Sequence, residues 1–362
     1  MNKFFPIISV KGTAYECGLQ HGEQAAGLIK RNIDYYLDYW RRNLRMSRED
    51  IYDHANNVTK TVDAYDEELM KEIKGVAEGS DTDLEAVVAI NGRYELAWAN
   101  PEQLMGGCTS IAATHEATEG KVTLLAQNWD YRLGVRDTCV VLEISQEGTP
   151  GIVMHTEAGV IGHKGMNSLG IGVTLNAMVS DQDRLGDSVP FLLVCRRMLK
   201  SSLLTEALKA LLDAERCVSY NVLVGCEGVI VDLEAHPSDV SVITPKEGTL
   251  THTNHFVGSR SHNVKDMYLR SDPSTIHRLI VAENLMKKGK HSIESFKDIL
   301  SNHLDYPESI CYHPNPRKTL DHQEETLSSL IMDLTNKQIY ITKGPPCINK
   351  YTKYTPRYLK VC

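Results

Sequence analysis

A chain of 362 residues, 42% apolar and 24% charged, has ordinary globular composition, and its length allows one large domain or two smaller ones. Its formal charge of −8, with no basic block, argues against nucleic acid as a partner, and no apolar run approaches a membrane span. Nine scattered cysteines without a CxxC pair argue against a disulfide framework and for a reducing compartment.

Met1 to Ser9 hold no apolar stretch long enough for a signal peptide, so a cytoplasmic protein is expected. Residues 4–11 read as a short strand. From Gly18 to Arg45, Leu19, Ala26, Ile29, Ile33, Tyr36 and Leu37 recur at helical spacing. Ser47 followed by Glu49 and Asp50 starts a helix over 48–64. Glu67 to Gly79 is another, and a third runs from Asp83 to Trp98, with Asp81 or Thr82 as its cap. After Cys108 the texture changes. Cys108–Ala113 and Val122–Trp129 flank Glu119-Gly120-Lys121 as a hairpin. Strand-like runs follow at 138–145, 151–157 and 171–176, and Asp187–Ala214 reads as a helix with Pro190 near its start. Asn221–Gly225 and Gly228–Glu234 flank Cys226-Glu227 as a second hairpin. Thr249–His255 is strand-like, and Ser274–Lys288 and Ile293–Leu300 are helical. Leu327–Leu334 and Gln338–Thr342 form a third hairpin, and the tail with Lys353, Arg357 and Lys360 reads as loosely held. The pattern predicts an α+β protein of stacked antiparallel sheets covered by helices.

The seam between the two textures is Met105-Gly106-Gly107-Cys108-Thr109-Ser110. If the Gly107–Cys108 bond breaks, Cys108 carries a free α-amine beside its thiol, with an unperturbed pKa of about 7.7–8.0. One residue then supplies the nucleophile and the base for acyl transfer. Glycine at 107 leaves the scissile carbonyl accessible; a tight turn before a strand is the competing explanation of the glycines. Gln127-Asn128-Trp129-Asp130 ends the strand pairing with the Cys108 strand, so Asp130 is placed near residue 108 to hold the amine; a strand-end turn cap is the alternative. Asn254, in Thr251-His252-Thr253-Asn254-His255, can donate its amide to an oxyanion, and the backbone of Asn176, ending Gly165–Asn176, is a second donor. His252 and His255 lack a third convergent ligand, so no metal is expected. No phosphate-loop or dinucleotide pattern is present, and no cofactor is expected.

These motifs together resemble the isopenicillin N acyltransferase (acyl-CoA:6-aminopenicillanic acid acyltransferase) family, the peptidase C45-type autoproteolytic N-terminal-nucleophile hydrolases. The resemblance runs nearly end to end. It includes Gly12–Gly18 with His21-Gly22, Ile73–Gly79 and Asn91–Glu95 upstream, Gly107-Cys108-Thr109 at the seam, and Gln127–Asp130, Gly165–Asn176 and Thr251–His255 downstream. The last three also resemble motifs of penicillin V acylases and conjugated bile acid hydrolases. The resemblance implies a four-layer αββα fold, with 1–107 as a mainly helical prosegment that becomes a small α chain. Residues 108–362 would be the catalytic β chain, the two fragments staying associated. It implies Cys108 as nucleophile and base, Asp130 as the carboxylate positioning the amine, and Asn254 and Asn176 as oxyanion donors. Gly107 and Cys108 flank the cleavage site, and Trp129 and Tyr312 are candidate substrate contacts. Arg93 and Glu95 would be a mutual ion pair or a simple surface pair. An arginine is expected after Ser309-Ile310-Cys311; this chain has Tyr312, with Arg317 five residues on, which leaves substrate class open. The expected partner is a small linear amide, with an amine or acyl-CoA as a further acceptor or donor. Two other readings remain: an unprocessed thiol hydrolase using one of 14 histidines as base, and a non-catalytic binding protein on the same fold.

Overall fold

The computed structural model describes residues 4–97, 107–259 and 263–358. Strand β1 (Ile7–Gly12) leads into α1 (Ala14–Tyr39), where Thr13 and Glu16 form a reciprocal capping box. A π-helical turn, Trp40–Leu44, ends α1, and Ser47 and Asp50 cap α2 (Arg48–Tyr65) in the same way. Next comes α3 (Glu67–Ser80). The helix expected over 83–98 breaks at Gly92 into α4 (Leu84–Asn91) and α5 (Arg93–Ala97), and Trp98 lies outside the described residues. Neither Asp81 nor Thr82 caps α4; Asp83 holds the N-cap position, and Asp81 closes α3 in a left-handed conformation.

Beyond the seam come β2 (Cys108–Ala113), β3 (Leu124–Arg132), β4 (Cys139–Gln146), β5 (Ile152–Glu157), β6 (Lys164–Asn167) and β7 (Gly172–Ala177). The single helix expected over 187–214 is two, α6 (Phe191–Lys200), with Pro190 at its N-cap, and α7 (Leu204–Leu212), separated at Ser201-Ser202-Leu203. Serine hydroxyls compete with helical backbone bonds, which favours a break there. Strands β8 (Tyr220–Cys226), β9 (Val229–His236), β10 (Asp239–Ile243) and β11 (Thr249–His252) follow. Then come α8 (Tyr268–Ser271), α9 (Ser274–Met286) and α10 (Ile293–Leu300), and β12 (Glu324–Asp333), β13 (Gln338–Lys343) and β14 (Thr352–Tyr354). Residues 353 and 357 are not loose: β14 pairs with β13, and the Arg357 N–H and Tyr354 hydroxyl both donate to Glu143. Lys360 lies outside the described residues.

One sheet runs β1-β4-β5-β6-β7-β8-β9-β10 and the other β11-β2-β3-β12-β13-β14. Every pair is antiparallel except β1 with β4, which is parallel. Strands β2 and β3 pack on β7, so the sheets stack face to face. Helices α1, α6 and α7 cover the first sheet, and α9 and α10 cover the second. This is the expected αββα layering, with the upstream segment supplying an edge strand as well as helices. Because β2 and β3 have a sheet on one face and helices on the other, all fifteen of their residues are buried, polar ones included.

The upstream motifs are packing devices. A Cβ on Gly18 would lie 1.9 Å from the Glu72 carbonyl oxygen, and one on Gly75 would lie 2.2 Å from the Tyr15 oxygen. Only glycine lets the α1 and α3 backbones come this close. The buried amides of Asn32 and Asn91 then grip the turn after β5: Asn32 Nδ2 donates to Ala158 O at 3.1 Å, and Asn91 Nδ2 to Gly159 O at 2.9 Å. Arg93 and Glu95 are neither a mutual pair nor a surface pair. Both are buried; Arg93 meets Glu157 at 2.7 Å, and Glu95 accepts the Phe191 N–H at 2.7 Å.

Candidate active site

Cys108 is the first residue of β2 and lies directly opposite Trp129 of β3. That register sets the Asp130 N–H against the Gly107 carbonyl oxygen, 2.9 Å away. Asp130 is not at a strand end as expected: β3 continues through Arg132 and pairs with β12. The register shifts between Thr326 and Ser328, a local bulge. Thr326 lies opposite Asp130 and its hydroxyl donates to Asp130 Oδ1 at 2.5 Å. The other oxygen, Oδ2, is buried without a hydrogen-bond partner among the described residues. It lies 3.6 Å from where a Cβ on Gly107 would be. Gly106 and Met105 lie outside the described residues.

Asn254 sits just past the end of β11, in a bend; the strand expected through His255 stops at His252. Its Oδ1 accepts the Cys108 N–H at 2.8 Å, and its Nδ2 donates to Ala177 O at 3.0 Å. These partners fix which end of the amide is oxygen: a backbone N–H must face the acceptor and a carbonyl must face the donor. The contact with Cys108 is therefore made by the carbonyl of Asn254. The Asn254 N–H in turn donates to Thr275 Oγ1 at 2.9 Å. His252 and His255 serve this bend. His252 Nε2 meets Glu234 at 2.9 Å, and His255 Nδ1 meets Thr275 Oγ1 at 2.9 Å.

Asn176 lies on β7 behind the Cys108 strand. Its Oδ1 accepts from Ser110 Oγ at 3.1 Å and Gln127 Nε2 at 3.2 Å, and its Nδ2 donates to Asn221 at 2.7 Å. Gln127 Nε2 also donates to the Leu175 carbonyl. This buried polar layer joins the two sheets directly beneath the Cys108 strand.

Tyr312 stands where an arginine is expected, and a different arginine reaches Cys108. Arg317 is exposed. Arg278 of α9 is fully buried, and its Nη1 donates to Cys108 O at 2.7 Å and Thr109 Oγ1 at 3.1 Å, while its Nη2 donates to Asn254 Oδ1 at 3.0 Å. Sequence reasoning misses this residue. The signal it offers is a cation on the apolar face of α9, shared with Thr275, Leu279 and Ala282 at helical spacing. Tyr312 is buried; its N–H donates to Thr326 Oγ1 at 2.9 Å and its hydroxyl accepts from Lys318 at 3.1 Å. It therefore braces Thr326 behind Asp130. Trp129 is also fully buried, stacked on Tyr131, with Lys164 Nζ 4.2 Å from its ring centre.

Burial controls the electrostatics. Removal from water, then the nearby Asp130 charge, pushes the Cys108 thiol up to about 12 in the intact chain; Lys164 and Arg278 act the other way. Burial raises the Asp130 carboxyl to about 8, against Arg278 and the Thr326 bond. Burial lowers Lys164 to about 7. The thiol is thus held as a thiol at neutral pH, shut in with only 3% of its surface exposed. Two cavities lie away from this site, one of about 420 Å³ beside Lys60, Tyr65 and Val189 and one of about 330 Å³ beside Arg184 and Cys217.

Among the described residues no helix is long and apolar enough to cross a membrane. Among solved structures the chain is similar to a single-residue variant of conjugated bile acid hydrolase from Clostridium perfringens, 14% identical, covering 69% of this chain and 98% of that one with a TM-score of 0.45. It is also similar to penicillin V acylase from Agrobacterium tumefaciens, 15% identical, covering 65% and 82% with a TM-score of 0.39. In sequence it is 26% identical over 341 residues to the 40 kDa form of acyl-coenzyme A:6-aminopenicillanic-acid-acyltransferase from Emericella nidulans, covering 94% of this chain and 92% of that one. The family model described as acyl-coenzyme A:6-aminopenicillanic acid acyl-transferase matches residues 117–346. That span is well over half of the chain, and the chain is an enzyme belonging to the acyl-coenzyme A:6-aminopenicillanic acid acyl-transferase family.

Proposed function

We propose that the chain cuts itself between Gly107 and Cys108 and then hydrolyses a small linear amide, or transfers its acyl group, through a thioester on Cys108. The observation that carries this reading is the setting of the Gly107–Cys108 peptide. Its carbonyl oxygen accepts the Asp130 N–H at 2.9 Å, and its nitrogen donates to Asn254 Oδ1 at 2.8 Å.

In the first step Cys108 Sγ attacks the Gly107 carbonyl carbon. The thiol proton passes to the departing Cys108 nitrogen, the C–N bond breaks, and a thioester forms. The Asp130 N–H follows the carbonyl oxygen as it gains charge, which is what a preorganised oxyanion donor does. Water then cleaves the thioester, leaving a carboxylate on Gly107 and a free thiol and amine on Cys108. The new amine stays beside Asn254 Oδ1 and gains the unpartnered Asp130 Oδ2 as its acceptor. Asp130 and Asn254 thereby orient a base whose ordinary pKa is about 7.7–8.0.

In turnover the amine takes the thiol proton as sulfur attacks the substrate carbonyl, then gives it to the leaving amine. Asn254 Nδ2 has two hydrogens and Ala177 takes one; the second, with the Asn176 backbone N–H, is the proposed donor to the substrate oxyanion. Release of the Gly107 end opens the space that this residue fills in the intact chain. The likeness to the Emericella nidulans acyl-coenzyme A:6-aminopenicillanic-acid-acyltransferase supports acyl transfer between coenzyme A and an amine-bearing acceptor. Hydrolysis is the default outcome, because water needs no dedicated acceptor site.

The competing reading, an unbroken thiol hydrolase, has His163 to call on. That ring is buried 4.8 Å from the Trp129 ring and is kept neutral, first by burial and then by the Lys164 charge. Intact mass of active protein separates the two: fragments of 107 and 255 residues are expected, and full activity in an unbroken chain would overturn self-processing. A panel of N-acyl amines and small peptides, run with and without an added amine, then distinguishes hydrolysis from transfer by product mass.

A further inference from the structure

We propose that His303, Cys311, His313 and Cys347 form a zinc site, separate from the Cys108 chemistry. The four ligand atoms all lie within 4.8 Å of one another. Three edges of the group share His313 Nε2, which is 3.2 Å from His303 Nε2, 3.5 Å from Cys311 Sγ and 3.3 Å from Cys347 Sγ. A tetrahedral ion with Zn–N near ~2.0–2.1 Å and Zn–S near ~2.3 Å spaces its ligands by roughly 3.3 Å for N···N and roughly 3.6 Å for N···S. The observed edges fall within a few tenths of an ångström of these values.

Hydrogen bonding does not account for the convergence. An imidazole nitrogen carries either one proton or one lone pair, so His313 Nε2 satisfies one of three neighbours and leaves two crowded against it. A cation at the centre of the group satisfies all four. Two thiolates and two neutral imidazoles are the donor set that selects zinc over hard cations, and four protein ligands close its coordination, so the role is structural.

The rings are already aimed. The His303 and His313 ring centres are 5.2 Å apart at 62°, and Tyr306 packs 5.1 Å from His313. The backbone is pinned by Cys311 N–H to Asn302 O at 3.0 Å and His313 N–H to Pro307 O at 2.9 Å. Three ligands come from the connection between α10 and β12, and Cys347 comes from the turn after β13. An ion here staples that connection to the turn. The staple reaches the catalytic strands: Ile310 O accepts Asn128 Nδ2 at 2.8 Å, and Tyr312, between two ligands, braces Thr326 and so Asp130. Cys311 is buried while His303 is exposed, which gives the ion an entry side.

The test uses the full chain, purified in reductant without a metal-affinity tag. Metal analysis by plasma mass spectrometry is expected to find about one zinc per chain. Replacing it with Co2+ is expected to give the visible bands and thiolate charge-transfer absorption of a tetrahedral site. The exposed-ligand variant His303→Ala tests the site without disturbing the core. It is expected to bind zinc more than tenfold more weakly, with the melting temperature in chelator unchanged from that of the chelator-treated parent. Cys347→Ser is expected to abolish the charge-transfer band. The same stoichiometry in a Cys108→Ala background places the ion away from the nucleophile. The proposal is overturned if the protein carries no zinc and takes up none from added Zn2+ or Co2+. It is equally overturned if the metal-free chain holds a Cys311–Cys347 disulfide under these conditions.

Discussion

Arg278→Lys isolates geometry from charge at the candidate site. The guanidinium spans three acceptors, Cys108 O, Thr109 Oγ1 and Asn254 Oδ1, while its Nε donates to Ser274 Oγ at 3.2 Å. A lysine keeps the positive charge but offers one nitrogen, which cannot fork across those positions. At least two charge-assisted bonds are lost, and each contributes about 1.5–3 kcal/mol. Part of that is regained by relaxation, so a stability loss of about 3 kcal/mol is expected, read as a lower urea midpoint. If the same bonds position Asn254 and Cys108 for attack, about 3 kcal/mol of lost alignment slows self-cleavage roughly 100-fold. Arg278→Met removes the charge as well. It leaves Asp130 and Asp272, whose Oδ2 lies 3.9 Å from Arg278 Nη2, without their buried cation, costing about 3–5 kcal/mol, and takes away an influence that lowers both Cys108 and Asp130. The assay is the time course of fragment appearance by intact mass, at a temperature where urea titration shows each variant folded. A folded Arg278→Lys chain that cleaves and turns over within threefold of the parent would refute the positioning argument.

Cys108→Ala is expected to remain a 362-residue chain without turnover, and Cys108→Ser to cleave slowly; fragments from the alanine variant would exclude self-processing. Glu95 is a buried carboxyl raised to about 7 by desolvation, opposed by the Phe191 N–H bond. A raised folded-state value means that its stabilising contribution is fully present below the unfolded value of 4.5 and is lost as pH rises through about 7. Glu95→Gln, which can keep the Phe191 bond, should therefore flatten the fall in melting temperature between pH 5 and 8; parallel profiles would refute this. Gly75→Ala places a Cβ 2.2 Å from Tyr15 O and 2.6 Å from Leu19 N. Forcing α1 and α3 apart should cost at least about 1–3 kcal/mol, and an unchanged urea midpoint would show that the helix contact is not rigid.

Local sequence carries the helix start at Ser47, the turn residues of two hairpins and the pairing of β2 with β3, because caps and alternation are short-range signals; the first helix, read from Gly18, begins at Ala14 behind the Thr13 cap. It fails where several segments converge. Nothing near Gly92 or Ser201 shows that the chain must break there, into α4 and α5 and into the α6 and α7 that cover the first sheet. Asp130 reads as a strand end, since Trp129-Asp130-Tyr131-Arg132 looks too polar for a covered strand; Thr326 meets Asp130 Oδ1 from the neighbouring strand, while Asp130 Oδ2 and Trp129 Nε1 stay buried without a hydrogen-bond partner among the described residues. Arg278 escapes notice because its three acceptors come from residues 108, 109 and 254, far apart in sequence. The same applies to His303, Cys311, His313 and Cys347. The neighbouring pair His252 and His255 stands out in the sequence instead, yet those rings are taken up by Glu234 and Thr275.

The site's contacts make chemical sense in two states, and that is the strongest physical reason to expect one to become the other. In the intact chain the Cys108 nitrogen is an amide with one hydrogen, and Asn254 Oδ1 satisfies it. Asp130 Oδ2 is meanwhile a buried carboxyl oxygen without a partner among the described residues, an arrangement that costs about 1–3 kcal/mol if nothing ever fills it. The proposed cleavage would turn the amide into an amine with two or three hydrogens at the same place. The extra hydrogens are the donors that the empty oxygen lacks, and a cation there would draw Asp130 back below its raised value and sustain its negative charge. Glu95, Glu157, Asp232 and Glu324 also keep one buried carboxyl oxygen without a partner among the described residues; Asp130 differs from them in lying against the Gly107–Cys108 peptide. Under the proposed cleavage, the new amine would complete the oxygen that the intact chain leaves short, which is what a carboxylate holding a new N-terminus requires.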